Sequence, residues 1–192
     1  MKGPHAATMK RDPLVIYTVG HSTRELHAFL ELLHGYGIKQ LVDVRTIPRS
    51  RKNPQFNAES LPQALREAHV RYTHLAALGG LRRAARDSVN TGWRNAAFRG
   101  FADHMCGAEF EKGLERLIIL SSARPAAIMC AEAVPWRCHR SLIADALVVR
   151  GIRVRHILSA SQVREHTLTS FAEVKEGRIS YPKSPDPSGL VP

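Results

Sequence analysis

Apolar and polar positions follow two rhythms along this chain. Residues 14–19, LVIYTV, form a β-branched run that stops at Gly20 and reads as a buried strand. The period then changes. Leu26, Phe29, Leu30 and Leu33 stand at i, i+3, i+4 and i+7, so they share one face of a helix. Ser22 and Glu25 have the spacing of a capping box at its start, and Gly35 and Gly37 stop it. Residues 40–44, QLVDV, make a second strand, followed by the polar loop RTIPRSRKNPQFNAE. Ser60 and Gln63 repeat the capping-box spacing ahead of a short helix that runs to His69.

A third strand is expected over 70–75, VRYTHL, and a second long loop over 76–95. Helical spacing returns near 96–106, through Phe98, Phe101, Ala102 and Met105. It recurs near 109–121, through Phe110, Leu114, Leu117 and Ile118. AAIMC, ending at Cys130, is a fourth strand. A helix over 139–149 buries Leu142, Ile143, Ala146 and Leu147 and ends before Gly151, and 152–157, IRVRHI, is a fifth strand. Strand and helix therefore alternate five times. This predicts a single α/β domain over 14–158, with a central, mostly parallel five-stranded sheet flanked by helices. Residues 1–13 read as a flexible segment. Residues 159–192 read as a Pro-rich, partly disordered extension with a short helix near 169–175.

Length and composition bound this picture. A chain of 192 residues that is 44% hydrophobic can bury one ordinary core. No apolar run approaches the ~20 residues that span a bilayer, and the first thirteen residues lack the apolar middle of a secretory signal. A cytoplasmic protein without a membrane partner is the expectation. Three cysteines, at 106, 130 and 138, are too few for a disulfide scaffold. A Cys130–Cys138 bridge fits the spacing, but free thiols are expected in a reducing compartment. There is no C-x-x-C, so a structural zinc site is not expected and no metal ligands are assigned; whether a cofactor binds is not legible. The formal charge of +11 favours an anionic substrate or nucleic acid as partner. A generally basic surface explains the same number. Oligomeric state is not legible.

In an open parallel sheet, ligands bind where strands end and loops leave for helices. His21 and Ser22 follow the first strand. Asp43 and Arg45 end the second, with Arg49 behind them. Gly79 and Gly80 follow the third, and Cys130 and Glu132 the fourth. Each has a blander reading. Ser22 is a good N-cap, and His21 can bond a backbone carbonyl. Asp43 and Arg45 alternate along a strand and can simply pair. His74 can be solvated, Gly79-Gly80 can be only a turn, and Arg82, Arg83 and Arg86 can be surface. Trp93 and Trp136 are more often packing than base-stacking platforms.

Residues 130–140, CAEAVPWRCHR, concentrate the reactive groups. Glu132, two residues past a buried strand, needs a partner or a task. Cys138, His139 and Arg140 open a helix, whose N-terminus acidifies a thiol and attracts anions. Cys130 and Arg137 stand at strand end and helix start, much as in Cys-dependent phosphatases. However, six residues separate them, Glu132 repels phosphate and Pro135 has no N–H to offer. The H-x-E and P-C-x-x-C pattern of zinc deaminases is absent.

The blocks YTVGHST, LVDVRTIPRSRKNPQF, LGGLRR, GWRNAAFRGFADHM and MCAEAVPWRCHRSLIADAL occur in this order. Together they resemble the "domain of unknown function 488" family, over about residues 14–158. The resemblance implies a compact α/β domain of bacteria and archaea and supplies no reaction. Its motifs fall on His21, Ser22, Asp43, Arg45, Pro48, Arg49, Gly79, Gly80, Cys130, Glu132, Cys138, His139 and Arg140. Phe101 stands where the family commonly has tyrosine. The preferred expectation is an enzyme acting on a nucleotide or nucleic-acid-derived substrate. Cys130, then Cys138, would be the nucleophile or redox group, Glu132 and His21 would handle protons or contact a base, and His139 and Ser22 would orient neighbours. Asp43, Arg45, Arg49, Gly79, Gly80, Trp136, Arg137 and Arg140 would bind substrate. The rival is a non-catalytic nucleic-acid-binding or regulatory module using the same basic loops.

Overall fold

The computed structural model describes residues 13–183. The expected flexible segment, apart from Pro13, and the tail from 184 onward lie outside the described residues. The strands are β1 (Val15–Gly20), β2 (Gln40–Asp43), β3 (Arg71–His74), β4 (Ala126–Cys130), β5 (Arg153–Ile157) and β6 (Val163–Glu165). Between them run α1 (Leu26–Gly35), α2 (Leu61–Glu67), α3 (Ala96–His104), α4 (Ala108–Ala123) and α5 (Arg140–Val149).

The six strands form one sheet in the order β3-β2-β4-β1-β5-β6, parallel throughout except for β6, which pairs antiparallel with β5. The expected α/β domain is thus present, with one added edge strand. β4 enters between β2 and β1, and Ile128 lies opposite both Val42 and Thr18. Both faces of this strand are covered, which is why AAIMC is apolar without alternation. On one face of the sheet α1 and α2 bury Phe29, Leu33, Leu61 and Leu65 against Val19, Leu41 and Met129. On the other, α3, α4 and α5 bury Phe101, Phe110, Leu114 and Leu142 against Ile16, Val42 and Ile128.

Three local expectations are corrected. Ser22 does not cap α1. It sits at φ 50, and its N–H bonds Ala131 O at 2.9 Å, one step beyond His21 N–H to Cys130 O at 3.0 Å. The backbone there extends the β1–β4 pairing rather than starting the helix, which begins only at Leu26. Ser60 makes no side-chain cap bond to α2 either. The segment near 169–175 is not a helix. Phe171 packs edge-on to Trp93, and the chain then forms the hairpin β7 (Glu173–Lys175) and β8 (Arg178–Ser180). Its turn residues Glu176 and Gly177 have φ of 49 and 76, the left-handed pair that a tight hairpin favours. Tyr181, just after β8, is fully buried.

Candidate functional site

The carboxyl ends of β1, β2 and β4 open onto a cavity of about 460 Å³. Among the expected residues, it is lined by His21, Arg45, Arg49, Gly80, Cys130, Glu132, Arg137, Cys138 and His139. The topology explains the convergence. The chain leaves β1 for β2 and β3 on one side, returns to insert β4 beside β1, and then crosses to β5. The exits of β1, β2 and β4 thus surround one crevice.

Its floor is a thiol pair. Cys130 ends β4 and Cys138 precedes α5, and their sulfur atoms are 2.7 Å apart. Both are buried, at 2% and 4% exposure, and both carry no disulfide. Burial opposes ionisation of each, but the neighbours separate them. For Cys138 that penalty is outweighed by hydrogen bonds from the Cys130 thiol and His139 and by the charges of His139 and Arg140, so its thiol lies well below the ordinary value. Burial and the adjacent Cys138 push Cys130 well above it. Of the two, Cys138 is thus the more acidic thiol, with the Cys130 sulfur 2.7 Å away.

His139 supplies an acceptor for the thiol proton. Its Nε2 donates to Val44 O at 2.9 Å, which leaves Nδ1 facing Cys138 Sγ at 3.5 Å. Once the proton moves to Nδ1, both ring nitrogens donate and an imidazolium stands beside a thiolate. Gly80 makes room for this ring. A Cβ there would lie 2.4 Å from Nδ1 and 2.7 Å from Cγ, and the bond to Val44 keeps the ring from simply swinging aside.

Arg140 is not at the mouth. Only 1% exposed, it lies under the thiols and donates from Nη2 to Glu132 O at 2.6 Å and from Nη1 to Thr18 Oγ1 at 3.3 Å. The thiols beside it raise its basicity despite burial. Gly20 permits the approach. A Cβ at this position would come 1.8 Å from Glu132 O and 3.0 Å from Arg140 Nη2.

From Thr18 a chain of hydrogen bonds runs into the rest of the molecule. Thr18 Oγ1 lies 2.8 Å from His156 Nδ1, His156 Nε2 2.9 Å from His166 Nδ1, and His166 Nε2 2.8 Å from Asp145 Oδ1. Asp145 accepts, so His166 donates from Nε2. With neutral rings every other proton follows: His156 donates to His166, and Thr18 donates to His156. Burial, chiefly, with the Arg140 charge, brings the His156 pKa down to about 3, consistent with a neutral ring. The fully buried Asp145 also accepts from Thr169 N–H and O–H and from Tyr181 O–H at 2.9, 2.7 and 2.9 Å.

Other expected site residues have structural partners instead. Asp43, fully buried, accepts from Arg45 N, Nε and Nη2 at 3.0, 2.9 and 2.5 Å and from Tyr72 O–H at 2.8 Å. Arg45 also donates to Phe56 O at 2.7 Å and lies 3.3 Å from His21 Nε2, so its guanidinium is held in a buried pair at the cavity wall. His21 bonds Ser22 O through Nδ1 at 2.8 Å and stacks on Phe56 at 4.3 Å. Burial, chiefly, with the Arg45 and Arg140 charges, lowers its pKa to about 4, against the pull of the Ser22 bond and Asp43. The His21 ring is therefore neutral near pH 7, with both ring nitrogens engaged, and it lines the cavity. Glu132 is exposed, and only its backbone is used. The buried-carboxylate argument for it fails because the chain turns outward at Ala131. Gly79 packs against Thr46, where a Cβ would come 2.5 Å from its Oγ1. Trp136 is 54% exposed and lines a separate cavity of about 340 Å³ with Trp93, His156 and His166.

At the rim, Arg49 reaches an exposed Glu59 at 3.3 Å, and Arg137 makes no ion pair among the described residues. Asn95, Thr46 and Phe98 also line the cavity. Asn95, just before a helical pattern, has its signal as the α3 cap, accepting from Ala97 N at 2.8 Å. Thr18, Asp145 and His156 did have one: each is a polar residue inside an apolar strand or helix pattern. Among the described residues no group of three or more His, Cys, Asp or Glu could hold a metal, and no helix is long and apolar enough to cross a membrane.

Fold and site together define an α/β protein with a Cys–Cys–His–Arg cluster at the carboxyl ends of its central strands. The chain belongs to the family described as Domain of unknown function DUF488, which matches residues 25–147. No curated protein and no solved structure matches it.

Proposed function

We propose that this protein is an enzyme that uses the Cys138 thiolate as nucleophile on an anionic substrate of nucleotide size. The observation that carries the reading is the surroundings of Cys138: a thiol donor from Cys130, an imidazole acceptor from His139 and the buried Arg140 charge, all at the floor of one cavity. A thiolate is the reactive form of cysteine, and these neighbours favour it. Its electron pair forms a sulfur–carbon bond with the substrate, and the leaving group departs with its own pair, protonated from His139. Water then releases the second product. The cavity of about 460 Å³ suits a mononucleotide or a flipped base with its sugar. Arg137 and Arg49 at the rim attract the phosphate, in keeping with the +11 charge.

Iodoacetamide labelling read by peptide mass spectrometry tests this. Cys138 should alkylate faster than Cys130 and Cys106, and millimolar 5′-mononucleotides or short oligonucleotides should slow it. Intact mass after incubation with the same compounds should reveal an adduct that Cys138→Ser lacks. If Cys138 reacts no faster than Cys106 and nothing protects it, the enzyme reading falls. Salt-sensitive oligonucleotide binding that survives Cys138→Ser would favour the rival binding module.

A further inference from the structure

The thiol pair has a second capacity that nucleophilic turnover does not use. Cys130 ends a strand locked between two others, and its carbonyl holds His21 N–H at 3.0 Å. Cys138 is held by its N–H to Pro135 O at 3.0 Å and by Ser141 N–H and O–H to its own carbonyl, both at 3.0 Å. The two sulfur atoms already touch at 2.7 Å. They line a cavity of about 460 Å³, which admits small solutes such as hydroperoxides as well as a nucleotide. Nucleotide-sized chemistry needs one thiolate with a donor beside it, and a serine or threonine would supply such a donor. A second sulfur adds the ability to resolve an oxidised partner.

We propose that Cys138 and Cys130 are a modification site for small hydroperoxides, which oxidise Cys138 and are answered by Cys130 closing a reversible disulfide that switches the site off. The inference rests on the proposed reading of Cys138 as the reactive thiol. In the first step the Cys138 thiolate attacks the terminal peroxide oxygen. A sulfur–oxygen bond forms, the oxygen–oxygen bond breaks, and the departing alkoxide or hydroxide takes a proton to leave as alcohol or water. Cys138 is oxidised by two electrons to sulfenic acid and the peroxide is reduced. In the second step Cys130 gives up its proton and attacks the Cys138 sulfur. The disulfide forms, and the sulfur–oxygen bond breaks with loss of water. Two exchanges with an external thiol restore both cysteines. Arg140, beside both sulfurs, stabilises the anion in each step. The imidazole of His139 carries the proton. The disulfide removes the nucleophile without moving the rim, so ligands still dock on a silent site.

The full chain carrying Cys106→Ser, which removes the exposed third thiol, is treated with one equivalent of hydrogen peroxide and then alkylated. Expected are an intact mass two hydrogens lighter, a Cys130–Cys138 cross-linked peptide, no label on either cysteine, and full recovery with dithiothreitol. In the wild type, Cys138 should oxidise about ten-fold faster than Cys106, as expected for a thiolate beside an ordinary thiol. Cys130→Ser should stop at a sulfenic acid that dimedone traps on Cys138. Both thiols still alkylating freely after a dose that oxidises free cysteine would overturn the inference. So would sulfinic acid accumulating on Cys138 while Cys130 stays reduced. None of these readouts requires turnover. Disulfide closure without any nucleotide protection would sink the enzyme reading alone, and a catalytic Cys138 without closure would sink only the switch.

Discussion

Asp43 and Arg45 look like substrate ligands in the sequence and a structural lock in the fold, and their energetics separate the two roles. Replacing Asp43 with alanine removes a carboxylate that accepts three bonds from Arg45 and one from Tyr72 while fully buried. Charge-assisted bonds contribute about 1.5–3 kcal/mol each and do not add. The dominant cost is the orphaned guanidinium, 8% exposed with only Phe56 O and His21 left to answer it. Breaking a buried pair from one side costs about 3–5 kcal/mol, and we expect ~4 kcal/mol here. With a urea slope of about 2 kcal/mol per molar, the unfolding midpoint should fall by roughly 2 M in the absence of any ligand. Arg45→Met should also destabilise. The double variant Asp43→Ala/Arg45→Met should be more stable than the sum of the two by about 2 kcal/mol or more, because removing both partners leaves no unpaired charge. A midpoint shift below about 0.5 M for Asp43→Ala, with additive variants, would refute the lock and return both residues to the substrate.

Further outcomes follow from the same geometry. Gly80→Ala should push the His139 ring off Val44 O, so the pH midpoint for Cys138 alkylation should rise while circular dichroism stays unchanged. Gly20→Ala should be far more damaging, since its Cβ meets a backbone carbonyl, and it should lose the cooperative thermal transition or lower it strongly. Acid should destabilise the fold. His21 and His156 are held neutral down to about 4 and about 3, so the unfolded chain binds more protons as pH drops below about 6.5. Stability then falls with pH through that window by on the order of 2–3 kcal/mol per histidine, and urea midpoints at pH 7.5 and pH 5 measure it. Tyr181→Phe removes one bond to the buried Asp145 carboxylate and should cost about 2 kcal/mol in the same assay.

Much of this was readable in the chain. β4 coincides with AAIMC, and the helix periods at Phe29, Phe101, Leu114 and Leu142 identify the faces that are buried. The gathering of His21, Arg45, Cys130 and Cys138 at one rim follows from parallel-strand topology and is found. Depth was not readable. Hydropathy places Arg140 at a helix surface, yet partners distant in sequence draw it beneath the sulfurs. Glu132 errs the opposite way, because where a loop turns is set by tertiary contacts rather than by residue type. The relative acidity of the two thiols was hidden for the same reason. It depends on which cysteine faces His139, and spacing alone does not give that. β6, β7 and β8 are three residues each and mostly exposed, too short to show a period.

The string of protons from Arg140 to Asp145 has a bearing on how this protein can be cut. Its links are drawn from β1, β5, α5 and the segment holding His166, Thr169 and Tyr181, and several of these fall outside the stretch recognisable as DUF488. The hallmark motifs therefore lean on a frame supplied by both flanks. A fragment trimmed to residues 25–147 would lack β1, β5 and β6 and leave a buried acid bare, so we expect it not to fold on its own.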